Sequence, residues 1–386
     1  MYDERNLLLM TPGPVPIHPR VYEAMNRVIC HHRTENFRKV FMECIELSKY
    51  VMQTENDVFI LTGSGTAAME AAISNIVEPG DEVICFINGK FSERWFEICQ
   101  AFGAKCHTYS VEWGKAITPD IVKKAVEEHP EASIATICHN ETSTGILNPL
   151  PEIAKICREN DLILVVDGIT SVGGDYVFPD KWGVNVLVTG SQKCLGCPPG
   201  LSLIMVDEQA WEKIKNRKSN KFSYYVDLER YKKSLEKKRE TPYTPAITLL
   251  FGLRESLTMI KEEGLEQRVK RHRLCGKALR EGVKALNLPL FEDENYASNT
   301  LTAVSYPQGI TDSQFRGLME KHGVLVAGGQ AHLKGKIFRV AHMNIIGERE
   351  ILTTLATMEL VLSEIGWNFE PGSGVSSAIK IFKNKL

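Results

Sequence analysis

The sequence predicts an α/β protein, with a mostly parallel central sheet covered by helices and a smaller α+β C-terminal domain. Two observations carry this. From about residue 55 to 206, short β-branched runs alternate with helical-looking segments, the pattern of βαβ units. The strand candidates are almost continuously apolar, which requires a sheet buried on both faces. Length and composition allow it: 386 residues, 43% hydrophobic and 24% charged, suffice for two domains with a sizeable core.

The predicted strands of the large domain are Val58 to Leu61, Glu82 to Ile87, Ile134 to Cys138, Leu162 to Val166, Val184 to Val188 and Leu201 to Val206. Helical stretches lie between them at Ala67 to Asn75, Ser92 to Phe102, Pro119 to Glu128 and Leu150 to Glu159. Lys213 to Arg239 is rich in charge and tyrosine and reads as an exposed excursion. It leads to Glu240-Thr241-Pro242-Tyr243-Thr244-Pro245, where two prolines exclude a continuing helix. Leu249, Leu250, Leu253, Leu257 and Ile260 recur at helical spacing, and a long helix through Gln267 to Leu286 carries the chain into the small domain. That domain has strands near Thr300 to Ser305, Val324 to Ala327 and Ile337 to Ala341, with helices at Thr311 to His322 and Glu348 to Ile365. Glu370-Pro371-Gly372-Ser373-Gly374 is linker chemistry and Lys380 to Leu386 reads as peripheral. The expected division is an N-terminal segment 1–20, a large domain 21–260, a small domain 261–368 and a flexible tail 369–386.

Formal net charge is −2 with dispersed basic residues, so nucleic acid and anionic membranes are not expected partners. No apolar stretch approaches the roughly 20 residues of a membrane helix, and the start of the chain lacks a signal-peptide core, so a cytoplasmic protein is expected. Ten scattered cysteines read as reduced, buried thiols. Cys194 and Cys197 form a C-x-x-C pair, but no second pair or histidine cluster completes a metal site, and no metal is expected.

Chemistry gathers at the carboxyl ends of the predicted strands, where ligands sit in such sheets. Gly63-Ser64-Gly65-Thr66 follows the first strand and opens a helix, offering free N–H groups and two hydroxyls to one phosphate, or forming an ordinary capped turn. Without the G-K-[ST] of a P-loop or the third glycine of a dinucleotide fingerprint, a phosphate monoester suits it better than ATP or NAD. Asp167 ends an apolar strand and calls for a cationic partner such as a ring pyridinium; its plainer task is to cap the following turn. Raising a pyridinium pKa by roughly 1–3 units is worth about 1.4–4 kcal/mol. Lys193, just past another strand, is a candidate amine nucleophile able to form a Schiff base, or one solvated lysine among many. Arg339 interrupts the apolar strand Ile337-Phe338-Arg339-Val340-Ala341, as a carboxylate clamp or an edge-strand charge.

The order of anion loop, Asp167 and Lys193 on strand ends of one sheet carries a specific resemblance. The chain resembles the class V aminotransferases of the fold-type I pyridoxal-phosphate enzymes, in particular the alanine–glyoxylate and serine–pyruvate (serine–glyoxylate) aminotransferases. The matching stretches are Thr11-Pro12-Gly13-Pro14, Gly63 to Glu70, Asn140-Glu141-Thr142-Ser143-Thr144-Gly145, Val166 to Ser171 and Gly190 to Gly200, within a likeness from Leu8 to about Trp367. The resemblance implies that Lys193 holds pyridoxal phosphate and moves a proton, that Asp167 pairs with the ring nitrogen and that Thr142 bonds the ring 3-oxygen. Ser64, Gly65, Thr66 and Gln192 would hold the phosphate. Phe91 falls where the family stacks an aromatic ring, often tryptophan, although a phenylalanine is as readily a core residue. Thr244 matches a residue reaching the neighbouring subunit's phosphate, and Thr241 stands where relatives often have tyrosine, with a hydroxyl that would take over that phosphate contact. That match implies a homodimer with shared sites. Arg339 would bind the substrate carboxylate, Gly13 would line the substrate side, and His32 and Arg33 would bind a second acidic group or pack between subunits.

The implied activity is ping-pong transfer of an amino group from a small L-amino acid, alanine or serine, to glyoxylate or pyruvate, with aspartate or phosphoserine as further donors. The competing reading on the same fold, a cysteine desulfurase or related lyase, needs a mobile nucleophilic cysteine near the small domain. The last cysteine is Cys275, inside a predicted helix. A non-catalytic protein on this fold would have lost its reactive residues, and Lys193, Asp167 and Arg339 are all present.

Overall fold

A computed structural model describes residues 7–384. Met1–Asn6 at the head of the expected N-terminal segment and Lys385–Leu386 at the end of the expected tail lie outside the described residues.

The large domain is built on seven strands: β1 (Asp57–Thr62), β2 (Glu82–Ile87), β3 (Lys105–Ser110), β4 (Ile134–Cys138), β5 (Ile163–Asp167), β6 (Val186–Gly190) and β7 (Leu201–Val206). Their spatial order is β1-β7-β6-β5-β4-β2-β3, with β7 antiparallel to both neighbours and the other pairings parallel. Side chains alternate between two apolar layers, Val58 and Ile60 entering one and Phe59 and Leu61 the other, so the sheet is covered on both faces. β3 was not anticipated: its sequence Lys-Cys-His-Thr-Tyr-Ser is polar because it forms the sheet edge and is half solvated.

Lys213 to Arg239 is largely exposed, and much of it is helical. Helices Glu208–Lys215 and Leu228–Lys238 occupy its two ends, the second anchored by buried Leu228 and Tyr231 under an otherwise charged surface. Asp207 and Asp227 cap these helices, each carboxylate accepting a backbone N–H of the first turn.

The small domain carries an antiparallel sheet of β8 (Leu301–Ser305), β9 (Ala327–Gly328) and β10 (Ile337–Ala341), in the order β8-β10-β9. The expected strand at Val324 to Ala327 is divided. Val324–Leu325 pairs in parallel with Leu8–Leu9, and only Ala327–Gly328 joins β10. The expected flexible tail is a correction. Ser373–Lys383 is a helix whose Ala378 and Phe382 are buried in the small-domain core beside Leu279 and Val283 of the Leu265–Ala285 helix. The linker-like glycines act locally: Gly372 sits at φ +82 before the helix, and a Cβ on Gly374 would meet Leu286 at 2.9 Å.

The N-terminal segment ties the small domain to the loop after β6. Met10 donates to Leu325 and accepts from Ala341, while Val15 donates to the Gln192 carbonyl at 3.2 Å. Pro12 to Pro14 is thereby held against Lys193.

Candidate active site

Lys193 follows β6 in a tight turn closed by Gly196 N–H to the Lys193 carbonyl. Its half-buried ammonium donates to the Pro12 carbonyl. Gly13, at φ +122, leaves no room for a side chain: a Cβ there would lie 2.4 Å from Lys193 Nζ. Burial, then the nearby Arg339 charge, lowers the Lys193 pKa to about 8, so a substantial fraction of the amine is neutral and nucleophilic near physiological pH.

Asp167 closes β5, paired in register with Val188 of β6 and Cys138 of β4. It is 3% exposed, and its Oδ1 accepts the Ile169 N–H at 2.7 Å. Burial raises its pKa to about 7 against that hydrogen bond and the opposing charges of Arg94 and Lys193. A buried carboxyl so raised is one that a cationic ring nitrogen would ionise.

Ser64 is the N-cap of the Gly65–Ile76 helix, and its exposed hydroxyl makes no capping bond. The first N–H groups of that helix lack intrahelical acceptors by construction. Gly65 is enclosed: a Cβ there would meet Ile169 Cδ1 at 2.6 Å. One built on Gly190 would fall 3.0 Å from Gln192 Oε1 and 3.5 Å from Gly65 N, which places Gln192 beside the helix start. Gln192 Oε1 is buried without a hydrogen-bond partner. Open N–H groups and an unspent hydroxyl at one helix N-terminus fit a phosphate, and the unpaired Gln192 amide beside them offers its NH2 as a further donor once turned toward it.

Arg339 projects from β10 and is 5% exposed. Its Nε and Nη2 donate to the Gly328 carbonyl at 3.0 and 2.8 Å, and Nη1 donates to the Thr142 carbonyl at 2.9 Å. A guanidinium has five N–H donors, so two remain for a carboxylate. Burial lowers its pKa to about 10 against the attraction of Glu141, leaving it charged at neutral pH. The Thr142 hydroxyl lies 3.0 Å from that of Thr170, which is buried on the loop after β5.

Two residues that the sequence reading left without a role complete the pocket. Glu141 is fully buried and caps the Lys90–Ala101 helix, accepting from the N–H groups of Phe91 and Ser92 at 3.3 and 2.8 Å and from the Ser92 and Ser143 hydroxyls. Gly89 is required beside it, because a Cβ would come within 2.3 Å of its carboxyl carbon. Arg94, one turn into that helix, donates to Thr66 Oγ1 at 3.0 Å and lies over the Phe91 ring at 5.1 Å. The only sequence signal for Arg94 was a cation three positions after Phe91.

The structure therefore joins Gly13, Ser64, Gly65, Thr66, Phe91, Thr142, Asp167, Gln192, Lys193 and Arg339 around one space. Others lie apart. Arg33 does not present a free guanidinium: it is spent on Glu240 and on the Thr241 and Pro242 carbonyls. Arg38 joins it on buried Glu240. Thr241 is buried with its hydroxyl donating to the Tyr243 carbonyl at 2.6 Å, while Thr244 is exposed. His32 stacks on His31 at 4.7 Å, and burial lowers its pKa. Cys194 and Cys197 are buried packing thiols directed at the Thr170 and Leu249 carbonyls.

The profile of the Aminotransferase class-V family matches residues 18–345. This chain belongs to that family. An uncharacterized aminotransferase of Methanocaldococcus jannaschii is 46% identical over 375 residues, 97% of each chain. The serine–glyoxylate aminotransferase of Arabidopsis thaliana is 33% identical, covering 98% of this chain and 96% of that protein. The crystal structure of ureidoglycine–glyoxylate aminotransferase from Bacillus subtilis superposes with a TM-score of 0.94 at 32% identity, over 98% of both chains. The aminotransferase thus has the fold-type I architecture, and amino-group transfer is its chemistry. No helix among its described residues is long and apolar enough to cross a membrane.

Proposed function

We propose that this aminotransferase binds pyridoxal phosphate at Lys193 and moves the amino group of a small L-amino acid, alanine or serine, to glyoxylate or pyruvate. The observation that carries the reading is the enclosed Lys193 amine, lowered to about 8, beside buried Asp167 and a two-donor Arg339. When bound, pyridoxal phosphate supplies an aldehyde for the amine and a ring that accepts the electrons of the substrate Cα–H bond.

Ser64, the Gly65 and Thr66 N–H groups and Gln192 bind the phosphate, with Arg94 adding charge through Thr66. Phe91 would cover the ring and Thr142 would bond its 3-oxygen. Asp167 ionises against the ring nitrogen and holds its proton. Arg339 takes the substrate carboxylate on its two remaining donors, fixing Cα. Lys193 Nζ, enclosed beside the substrate Cα, would serve as the base that takes the Cα proton and as the acid that gives it back. Both half-reactions use the one clamp, which gives ping-pong kinetics.

One observation favours small donors. Arg33, the cation expected for a second acidic group, is neutralised by Glu240, which argues against aspartate and phosphoserine. The named serine–glyoxylate and ureidoglycine–glyoxylate relatives support glyoxylate as acceptor. Thr244 stands exposed on a turn anchored by Glu240, Arg33 and Arg38, a placement suited to reaching the phosphate of a second copy, and we infer a homodimer acting in the cytoplasm. The desulfurase alternative finds no support, since Cys275 is buried within a helix and burial raises it to about 12.

The test is the visible spectrum of the purified protein with pyridoxal phosphate. The reading expects an absorbance band that alanine or serine bleaches and glyoxylate or pyruvate restores. A protein that stays colourless with added cofactor overturns it.

A further inference from the structure

Arg268 lies near the start of the long Leu265–Ala285 helix, buried, and bonds to none of the groups assigned to substrate or cofactor. A buried guanidinium is costly unless its donors are matched, and here four of the five are. Nε donates to the Gly173 carbonyl at 2.8 Å, and Nη2 donates to the Cys194 carbonyl at 2.7 Å and to Asn344 Oδ1 at 3.0 Å. Nη1 donates to Glu263 Oε2 at 2.8 Å, at the end of the Ile247–Glu263 helix.

These partners belong to the segments that build the pocket. Gly173 is on the loop that leaves β5 at Asp167, a loop closed on itself by the Val172 and Asp175 N–H groups donating to the Gly168 and Ser171 carbonyls. Cys194 follows Lys193 directly, and its Sγ is directed at the Thr170 carbonyl of that same loop. The next carbonyl, that of Leu195, accepts the Ser256 hydroxyl. Asn344, at φ +63, fits against Gly196, where a Cβ would lie 2.4 Å from its Oδ1, and its Nδ2 donates to the Pro16 carbonyl at 2.7 Å. Pro16 continues the strap whose Pro12 carbonyl receives Lys193 Nζ.

One guanidinium therefore joins the turn that carries the Lys193 backbone, the strap that receives its amine and the loop that sets Asp167. Arg339 is held separately, by the pairing of β10 with β8 and β9 and by its own bonds to Gly328 and Thr142.

We propose that Arg268 is a positioning residue for amino transfer, which locks the Lys193 turn, the Asp167 loop and the Pro12–Pro16 strap into one unit and so fixes the enclosed seat of the Lys193 amine. The proposal rests on the assignment of Lys193 as the cofactor-binding base. Without the lock the turn relaxes, water reaches Nζ, and the amine regains the proton affinity of an ordinary lysine. A displaced base also slows proton transfer by about 10–10². Substrate binding through Arg339 is left in place, so the loss falls on kcat rather than KM. A lysine cannot substitute, because its one nitrogen cannot reach carbonyls that three guanidinium nitrogens divide among them.

The experiment compares the parent with Arg268→Lys, Arg268→Ala and Leu279→Ala, the last a control for plain loss of stability, since Leu279 is buried in the small-domain core farther along the same helix. Each full chain, stripped of cofactor, is mixed with pyridoxal phosphate from about pH 6 to about 10. The capture rate is read by visible absorbance, melting temperatures are taken alongside, and kcat and KM are measured on the loaded proteins. The parent rate should level off near 8, and the plateau should move up by about one pH unit or more in both Arg268 variants. Because Arg268→Lys keeps the charge, a shift shared by the two reports the seat of Nζ and not a lost cation. Their kcat should fall by about 10–10² with KM within about threefold. Leu279→Ala should melt lower and keep the parent plateau. Arg268 variants that keep the parent plateau overturn this inference alone, as does a Leu279→Ala plateau shifted as far as that of Arg268→Ala. A parent that captures no cofactor removes the Lys193 assignment and this inference with it.

Discussion

Replacing Arg339 by lysine tests the substrate clamp quantitatively. Three of the five guanidinium donors hold the Gly328 and Thr142 carbonyls, and two remain for a carboxylate. A lysine keeps the charge but offers three donors on one atom, too few and too compact to satisfy the backbone carbonyls and fork onto a carboxylate. Two charge-assisted hydrogen bonds at about 1.5–3 kcal/mol each amount to about 3–6 kcal/mol. At roughly 1.4 kcal/mol per decade, kcat/KM for alanine or serine should fall by about 10²–10⁴, toward the lower end because the charge survives. The assay is the absorbance change of the donor half-reaction, run in parallel with an amine lacking a carboxylate, such as ethylamine. The loss should be confined to the amino acids, and the cofactor spectrum before donor addition should match the parent. A loss below about threefold, or an equal loss with ethylamine, refutes the clamp.

Four further predictions follow from the same geometry. Asp167→Asn should retain cofactor but lose about 10–10³ in turnover, since roughly 1–3 units of ring pKa are forfeited; near-normal turnover at full occupancy would refute the pairing. The same variant bears on stability without cofactor: because the folded protein raises Asp167 to about 7, its contribution is fully present below about 4 and is lost as pH rises through 7. Asp167→Asn should flatten that part of the melting-temperature profile, and an unchanged profile would contradict the burial argument. Gly13→Ala places a Cβ 2.4 Å from Lys193 Nζ at a backbone φ of +122, so cofactor capture should be largely abolished and the strained backbone should also lower the melting temperature. Normal capture in that variant would show the Pro12–Pro14 segment to be mobile. Finally, the rate of cofactor capture should climb about tenfold per pH unit up to about 8 and level off above it, following neutral Lys193; a rate still climbing near 10 would mean an ordinary lysine.

Much of this architecture was legible because buried parallel strands announce themselves. β2, β4 and β7 were predicted at their observed ends, each a run of apolar residues covered on both faces. β3 and the Leu228–Lys238 helix were not, for one physical reason: an edge strand and a surface helix expose most of their side chains, so their apolar periodicity is too sparse to read. The tail helix was concealed by Gly372 and Gly374, whose purposes, a left-handed backbone and close packing on Leu286, exist only in the folded chain.

In the pocket, Lys193, Asp167 and Arg339 stood out as polar residues at the ends or in the middle of apolar strands, a contrast visible in sequence. Glu141 did not, because its work is to cap a helix that begins about 50 residues earlier, a pairing only the fold creates. Arg33 misled for the same reason, as its partner Glu240 lies 207 positions away. An unpaired cation can be suspected from sequence, but its neutralisation by a distant carboxylate cannot.

The most direct test of the central claim is borohydride reduction of the cofactor-loaded protein followed by peptide mapping. The account predicts one pyridoxyl group, on Lys193, and none after prior conversion with alanine or serine. A label on another lysine, or one unaffected by the amino donor, would contradict it.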